Sequence, residues 1–248
     1  NSMLKNINLG EHVCKLSNLK RLTVAAFGLT ELPEEFANLK NLEFLDLGSN
    51  NFQRVPSILT KENFPKLRAL VLNAQQRHAV SDLSNTTHDM EKIGGLIGEE
   101  KFPEHLLTWG LDTLVLSVNY LHGELPTFED DPNIPRWSEE EVIAADTLPR
   151  ALIGTPKIMP TTKTFRINGN RLTGKVPQWL LMHPALDWWF PFSLVFPQEG
   201  YAPDGTKSGF EDAPASLVDY YKNWYPNKKL ANSIEEDTTP DDEGIITK

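Results

Sequence analysis

LKNLEFLDLGSNNFQRVP, residues 39–56, decides the reading of this chain. It fits the spacing L-x-x-L-x-L-x-x-N-x-L-x-x-L-P, with Leu42, Leu45 and Leu47 as leucines, Asn50 as the asparagine, and Phe52, Val55 and Pro56 closing the unit. Leu45 and Leu47 alternate, which predicts a strand with one buried face. Asn50 carries donor and acceptor groups where the chain has to turn, so its amide is expected to satisfy backbone there. Phe52 and Val55 turn inward again on the return side. One such unit cannot bury its own apolar face, so it requires copies stacked on either side.

The copies are present. Upstream, Leu19, Leu22, Val24, Leu29, Leu32 and Pro33 keep the frame, with Phe27 where the asparagine would stand. The step from Leu22 to Leu45 is 23 residues. Downstream, Leu67, Leu70 and Leu72 repeat the strand, with Gln75 at the asparagine position. Leu111, Leu114, Leu116, Asn119, Leu121, Leu125 and Pro126 follow, then Phe165, Ile167, Asn170, Leu172, Val176 and Pro177. A partial copy, Leu4, Ile7 and Leu9, precedes them all, which makes about six strands. A lone LxxLxL is weak evidence; a register that returns several times to a terminal L-P or V-P is strong.

This pattern resembles the leucine-rich repeat family, over most of residues 4–177. The resemblance implies an α/β solenoid: an arc with a parallel sheet on its concave side, an irregular or helical convex side, and an aromatic C-terminal cap. NYLHGELP (119–126) and NRLTGKVP (170–177) also resemble the L-x-G-x-[IV]-P variant of plant receptors. Plant ectodomains carry paired-cysteine caps and this chain has one cysteine, Cys14, so that origin is set aside. The mixed repeats and the ending PFSLVFPQEGY look more like surface proteins of gut-type Bacteroidetes, lipoproteins among them. That resemblance implies an extracellular or cell-surface location, with outer-membrane anchoring through a segment outside this chain.

The bulk properties narrow the function. The formal net charge is −10 over 248 residues, which argues against nucleic-acid binding, since that role wants a basic stripe. Six acids fall in 235–243, so much of the excess belongs to the tail. A single cysteine excludes an internal disulfide and a cysteine-based zinc cluster, and leaves the compartment open. No apolar run is long enough to span a membrane. The chain opens with NSMLKNINL, already inside a repeat and with no leader or polar cap in view. Either the chain is a fragment or residues 1–18 improvise a cap.

The expected organisation is a partial first repeat at 1–18, repeats over 19–177, a C-terminal cap over 178–230 and an acidic tail over 231–248. In the regular part the return segments PEEFANL and PSILTKENFP are expected to be partly helical. Two stretches break the period. Leu70 to Leu114 spans 44 residues, which leaves room for a degenerate repeat in the insert 76–108. Within it, 90–97 reads as strand or helix, Gly94–Gly95 as a turn, 103–109 as helical, and Asn85-Thr86-Thr87 as a formal sequon. Leu114 to Phe165 spans 51 residues, and the insert 127–160 has room for a further poorly matched strand. There Ser138 and Glu141 predict a capping box opening a short helix over 139–146. The region 178–230 differs in kind, with Trp179, Trp188, Trp189 and Trp224; an exposed last repeat costs about 25 cal/mol per Å² of apolar surface, so a cap is required. A short helix is expected over 216–225.

Residues between the buried leucines point out of the concave sheet. One column is Arg21, Phe44, Ala69, Thr113 and Thr164. The next is Thr23, Asp46, Val71, Val115 and Arg166, and the third is Ala25, Gly48, Asn73, Ser117 and Asn168. Five strands about 4.8 Å apart make a ladder about 20 Å long. Its centre is apolar: Phe44, Ala69, Val71 and Val115. Such a patch marks an interface, or else the inserts or preceding chain fold over it. Asn50, Gln75, Asn119 and Asn170 form a structural turn ladder.

Catalytic and metal arrangements are declined. No phosphate loop or HExxH is present, and the six histidines lack ligand spacing. Ser81, Ser84, His88 and Asp89 have no nucleophile elbow around them. Glu129-Asp130-Asp131 follows no calcium-loop spacing. No cofactor is expected. The sequence therefore points to a non-enzymatic module that binds a protein through its concave face. The alternative is glycan capture by the aromatic cap, with Trp188, Trp189 and Tyr201 as a stacking platform.

Overall fold

The computed structural model describes residues 12–75, 95–96, 98–145, 147–148, 150–185 and 194–219. Five three-residue strands form one parallel sheet, in the order β1 (Arg21–Thr23), β2 (Phe44–Asp46), β3 (Ala69–Val71), β4 (Thr113–Val115) and β6 (Thr164–Arg166). The register puts Leu22, Leu45, Leu70, Leu114 and Phe165 in one row, as the leucine spacing demands. Leu45, Leu70 and Leu114 are fully buried, as are Leu47, Leu72, Leu116 and Ile167 two residues on. Leu22, on the edge strand, is only half-buried. The fold is a leucine-rich repeat arc.

The amide column does more than fold its own turn. Asn50 Oδ1 accepts from the N–H groups of Phe27 (3.0 Å) and Leu29 (3.1 Å), and Nδ2 donates to the carbonyls of Val24 and Leu47. Asn119 accepts from the Gln75 N–H (2.9 Å) and donates to Leu72 and Leu116. Asn170 accepts from Asn119 and Leu121 and donates to Leu116 and Ile167. Gln75, one methylene longer, keeps the same pattern on Phe52, Leu47 and Leu72. Each amide thus serves the repeat before it as well as its own. That is why Phe27 is tolerated: the turn of its repeat is held by Asn50.

The residue before each member of this column is left-handed: Ala26 (φ 61°), Ser49 (56°), Ala74 (54°), Val118 (58°) and Gly169 (69°). The turn geometry imposes this conformation, although four of the five residues are not glycine.

Neither insert adds a strand to the ladder. β3 pairs directly with β4, and β4 directly with β6, so the room for extra strands suggested by the 44- and 51-residue gaps is not used in the sheet. The described end of the first insert returns along the amide-column side instead. Leu96 is buried and its N–H donates to Asn119 O, Gly98 N–H donates to Gln53 O, and Glu99 accepts from the Val55 N–H. Gly95 is left-handed, and a Cβ there would lie 2.5 Å from Asn119 O, so the expected turn also needs a residue without a side chain. Of the strand or helix expected over 90–97, Gly95 and Leu96 are described, as a bend; the rest of it and the Asn85 sequon lie outside the described residues.

On the convex side, Glu34–Asn38 forms a 3-10 helix, whereas 56–65 contains turns and no helix, which corrects the second helical expectation. Phe36 and Phe64 pack beneath these segments with ring centres 5.8 Å apart. α1 (Glu104–Thr108) buries Leu106 and Leu107. α2 (Glu139–Ala144) starts at the expected capping box: Ser138 Oγ accepts from the Glu141 N–H and the Glu141 carboxylate accepts from the Ser138 N–H. α3 (Gln178–Leu181) buries Trp179, whose indole donates to Pro126 O and whose ring packs on Phe128.

A second, two-stranded parallel sheet is absent from the sequence reading. β5 (His122–Glu124) pairs with β7 (Arg171–Thr173), both from the repeats with the L-x-G variant. The segment expected to be different in kind continues the coil. Leu194 O accepts from Ile167 and Asn168, and Val195 is fully buried. Gln198 Nε2 donates to Ile167 O and its Oε1 accepts from Leu172, the same bonds that Gln75 makes. Gly209 and Glu211 then donate to Leu172 and Gly174, extending the β5–β7 pairing pattern, and Phe196 meets Phe210 edge-on at 6.4 Å. Leu217–Asp219 is a single turn, α4, at the start of the expected 216–225 helix; the rest of that helix, the tail, and Trp188, Trp189 and Trp224 lie outside the described residues.

Candidate concave face

The three predicted columns share one face because β1–β4 and β6 pair in the register that the leucines set. Phe44, Ala69, Val71, Thr113 and Val115 are half-buried, as strand residues facing open space beside one another should be. Thr23 and Arg166 are exposed.

The structure adds contacts that the columns do not reveal. The Arg21 guanidinium lies 4.4 Å from the centre of the Phe44 ring, which screens one end of the apolar patch with a cation. The Asp46 carboxylate turns onto its own chain and accepts from the Gly48 N–H at 2.9 Å. A Cβ on Gly48 would lie 2.5 Å from Asn73 Oδ1, so the glycine makes room for that amide. Ser117 is buried and donates its hydroxyl to Asn168 Oδ1 at 2.7 Å, so it supports Asn168 more than it offers surface. Part of the third column, Ser117 with Asn168, is therefore closed on itself beside the apolar centre.

The described contacts of the second insert lie away from this face. Phe128 meets Trp179, and Met159 O lies 2.9 Å from His183 Nε2. Within the insert, Lys157 pairs with Glu141 and sits over the Trp137 ring. His183 is buried; its Nδ1 accepts from the Ala185 N–H, which leaves Nε2 to donate to Met159. It is a structural histidine, held between two backbone groups. Among the described residues, no three His, Cys, Asp or Glu side chains group as metal ligands. Among them, too, no helix is long and apolar enough to cross a membrane.

Residues 41–61 match the family model described as Leucine Rich Repeat, and the arc above is similar to that family's fold. No curated protein sequence matches the chain. Solved structures similar to it include the BIR2 ectodomain from Arabidopsis thaliana, at 18% identity and TM-score 0.43, covering 79% of this chain and 71% of that one. The Arabidopsis HAESA ectodomain, solved with an IDA peptide hormone, aligns at 18% identity and TM-score 0.38 over 75% of this chain and 22% of the receptor. A leucine-rich repeat protein of Leptospira interrogans aligns at 20% identity and TM-score 0.38, over 71% of this chain and 44% of its own.

Proposed function

We propose that this chain is a non-enzymatic binding module that engages a protein partner through its concave face. The observation that carries the reading is the half-buried apolar centre of the ladder, Phe44, Ala69, Val71 and Val115, on a sheet whose described inserts depart elsewhere. Rigid strands hold these side chains in fixed rows, so a partner loses little entropy in ordering them. The setting we propose is a bacterial cell surface of the Bacteroidetes type, with residues 178–230, the coil at 194–211 included, closing the array as a cap; both proposals rest on sequence resemblance and composition. Glycan capture at the cap is the lesser reading, since Tyr201 is the one member of its aromatic trio among the described residues, where it is exposed.

The test is affinity capture from cell-surface extracts with the wild type and a Phe44→Glu, Val71→Glu, Val115→Glu variant, each first checked for folding by circular dichroism. The reading predicts a protein retained by the wild type and lost by the folded variant. Retention by both removes the concave face from consideration.

A further inference from the structure

The residue just before each ladder strand carries a charge, and the signs alternate: Lys20, Glu43, Arg68, Asp112, Lys163. Neighbours on adjacent strands pair. Lys20 Nζ lies 2.9 Å from Glu43, and Arg68 pairs with Asp112. The Lys20 ammonium, with Arg68 and Lys66 nearby, holds the Glu43 carboxyl below its usual range. Five alternating charges make two pairs and leave one over, and that one is Lys163.

On the face itself the other charges are also occupied. Arg21 lies over Phe44, and Asp46 is bound to the Gly48 N–H. Arg166 is not. Among the described residues, neither Lys163 nor Arg166 has a side-chain hydrogen bond, ion pair or ring contact, and both are exposed. Arg166 stands in register with Val115, one strand from it and two from Val71. The last ladder strand therefore carries two cations, Lys163 just before it and Arg166 beside Val115, with no partner among the described residues, on a chain whose formal net charge is −10.

We propose that the partner presents a carboxylate to Lys163 and Arg166 and an apolar side chain to Val71 and Val115. This deepens the concave-face reading and rests on it. The strand spacing puts Arg166 about 5 Å from Val115 and about 10 Å from Val71, so one acidic–apolar patch of a protein surface reaches all three. A guanidinium takes a carboxylate through two parallel N–H bonds, and the ammonium three residues back along the chain adds a longer-range charge. The local pair has to win against the repulsion of an acidic chain, which makes the prediction sharp: a partner chosen by overall charge would be basic.

The test is a selection from a yeast-displayed library of a small helical scaffold with one randomised face, against the full chain. Clones are then measured against Lys163→Glu, Arg166→Glu and, separately, Val71→Glu, Val115→Glu, with Lys163→Gln, Arg166→Gln as the milder variant and circular dichroism as the folding check. The proposal expects enriched clones to carry Asp or Glu. It expects affinity to fall about tenfold or more on the charge-reversed chain, and to return when the clone's acid is changed to lysine. Clones lost on the valine variant but indifferent to charge reversal overturn the carboxylate proposal and leave the concave face standing. Clones indifferent to both sets overturn the concave-face reading with it.

Discussion

Replacing Asn119 by leucine tests the amide column most severely. Asn119 is fully buried and holds three backbone groups: the Gln75 N–H and the carbonyls of Leu72 and Leu116. The losses are unequal. Leu72 O keeps the Gln75 amide at 3.2 Å, and Leu116 O keeps the Asn170 amide at 3.0 Å. The Gln75 N–H has no second acceptor among the described residues. Orphaning it costs about 1–3 kcal/mol, and each lost carbonyl bond about 0.5–1.5 kcal/mol. Leucine regains about 1 kcal/mol through its larger apolar surface. The net expectation is a loss of about 3 kcal/mol, read as a shift in the urea midpoint followed by circular dichroism. Asn41→Leu is the control: this amide is half-buried, with contacts to Ser17 and Lys66, and its loss should stay within about 0.5 kcal/mol. If Asn119→Leu costs no more than Asn41→Leu, the column does not bind the repeats together as described.

Val118 is β-branched and left-handed, so Val118→Gly should raise stability by about 0.5–1 kcal/mol in the same urea assay; a loss would mean that its packing outweighs its backbone strain. Cys14 is buried, and that burial, with Glu35 beside it, pushes the thiol above its ordinary value. Native protein should therefore react with a maleimide far more slowly than urea-unfolded protein, and equal rates would contradict the burial. Burial also lowers the His105 pKa, with Glu99 opposing it, so the folded chain binds fewer protons there than the unfolded one. That contribution is complete above about pH 6.5 and is lost as pH falls below it. The thermal midpoint of the wild type should drop more between pH 7.5 and 5.5 than that of His105→Gln, and matched drops would refute the assignment. Glu43 and Glu141, both held down by lysine partners, lose their contributions only below about pH 4.5, outside that window.

The strand registers were legible because the same L-x-x-L-x-L motif marks Leu45, Leu70 and Leu114 whatever the gap between them, and the columns between follow without further information. The capping box at Ser138 was legible because it is written within four residues. What escaped was non-local. A gap of 44 residues has the length of two coils, yet Leu96 brings the chain back along the amide column and no strand enters the sheet. β5 and β7 have three residues each, one with a central glycine, too short to show alternation. Val195 and Gln198 keep the Leu47–Asn50 spacing, but the hairpin joined at Tyr201 and Lys207 delays Phe210 and hides the coil. On the candidate face, the columns were readable and their neutralisation was not. The stacking of Arg21 on Phe44, the turn of Asp46 onto Gly48 and the tie between Ser117 and Asn168 depend on side-chain placement across strands.

Site-specific photocrosslinking reads the partner's position directly. A benzophenone side chain is placed at Val71, at Val115 or at Ile143, an exposed position on α2 of the second insert, and each protein is irradiated with its captured partner. The account predicts adducts from Val71 and Val115 and none from Ile143. Adducts from Ile143 alone would contradict it and move the binding surface to the insert.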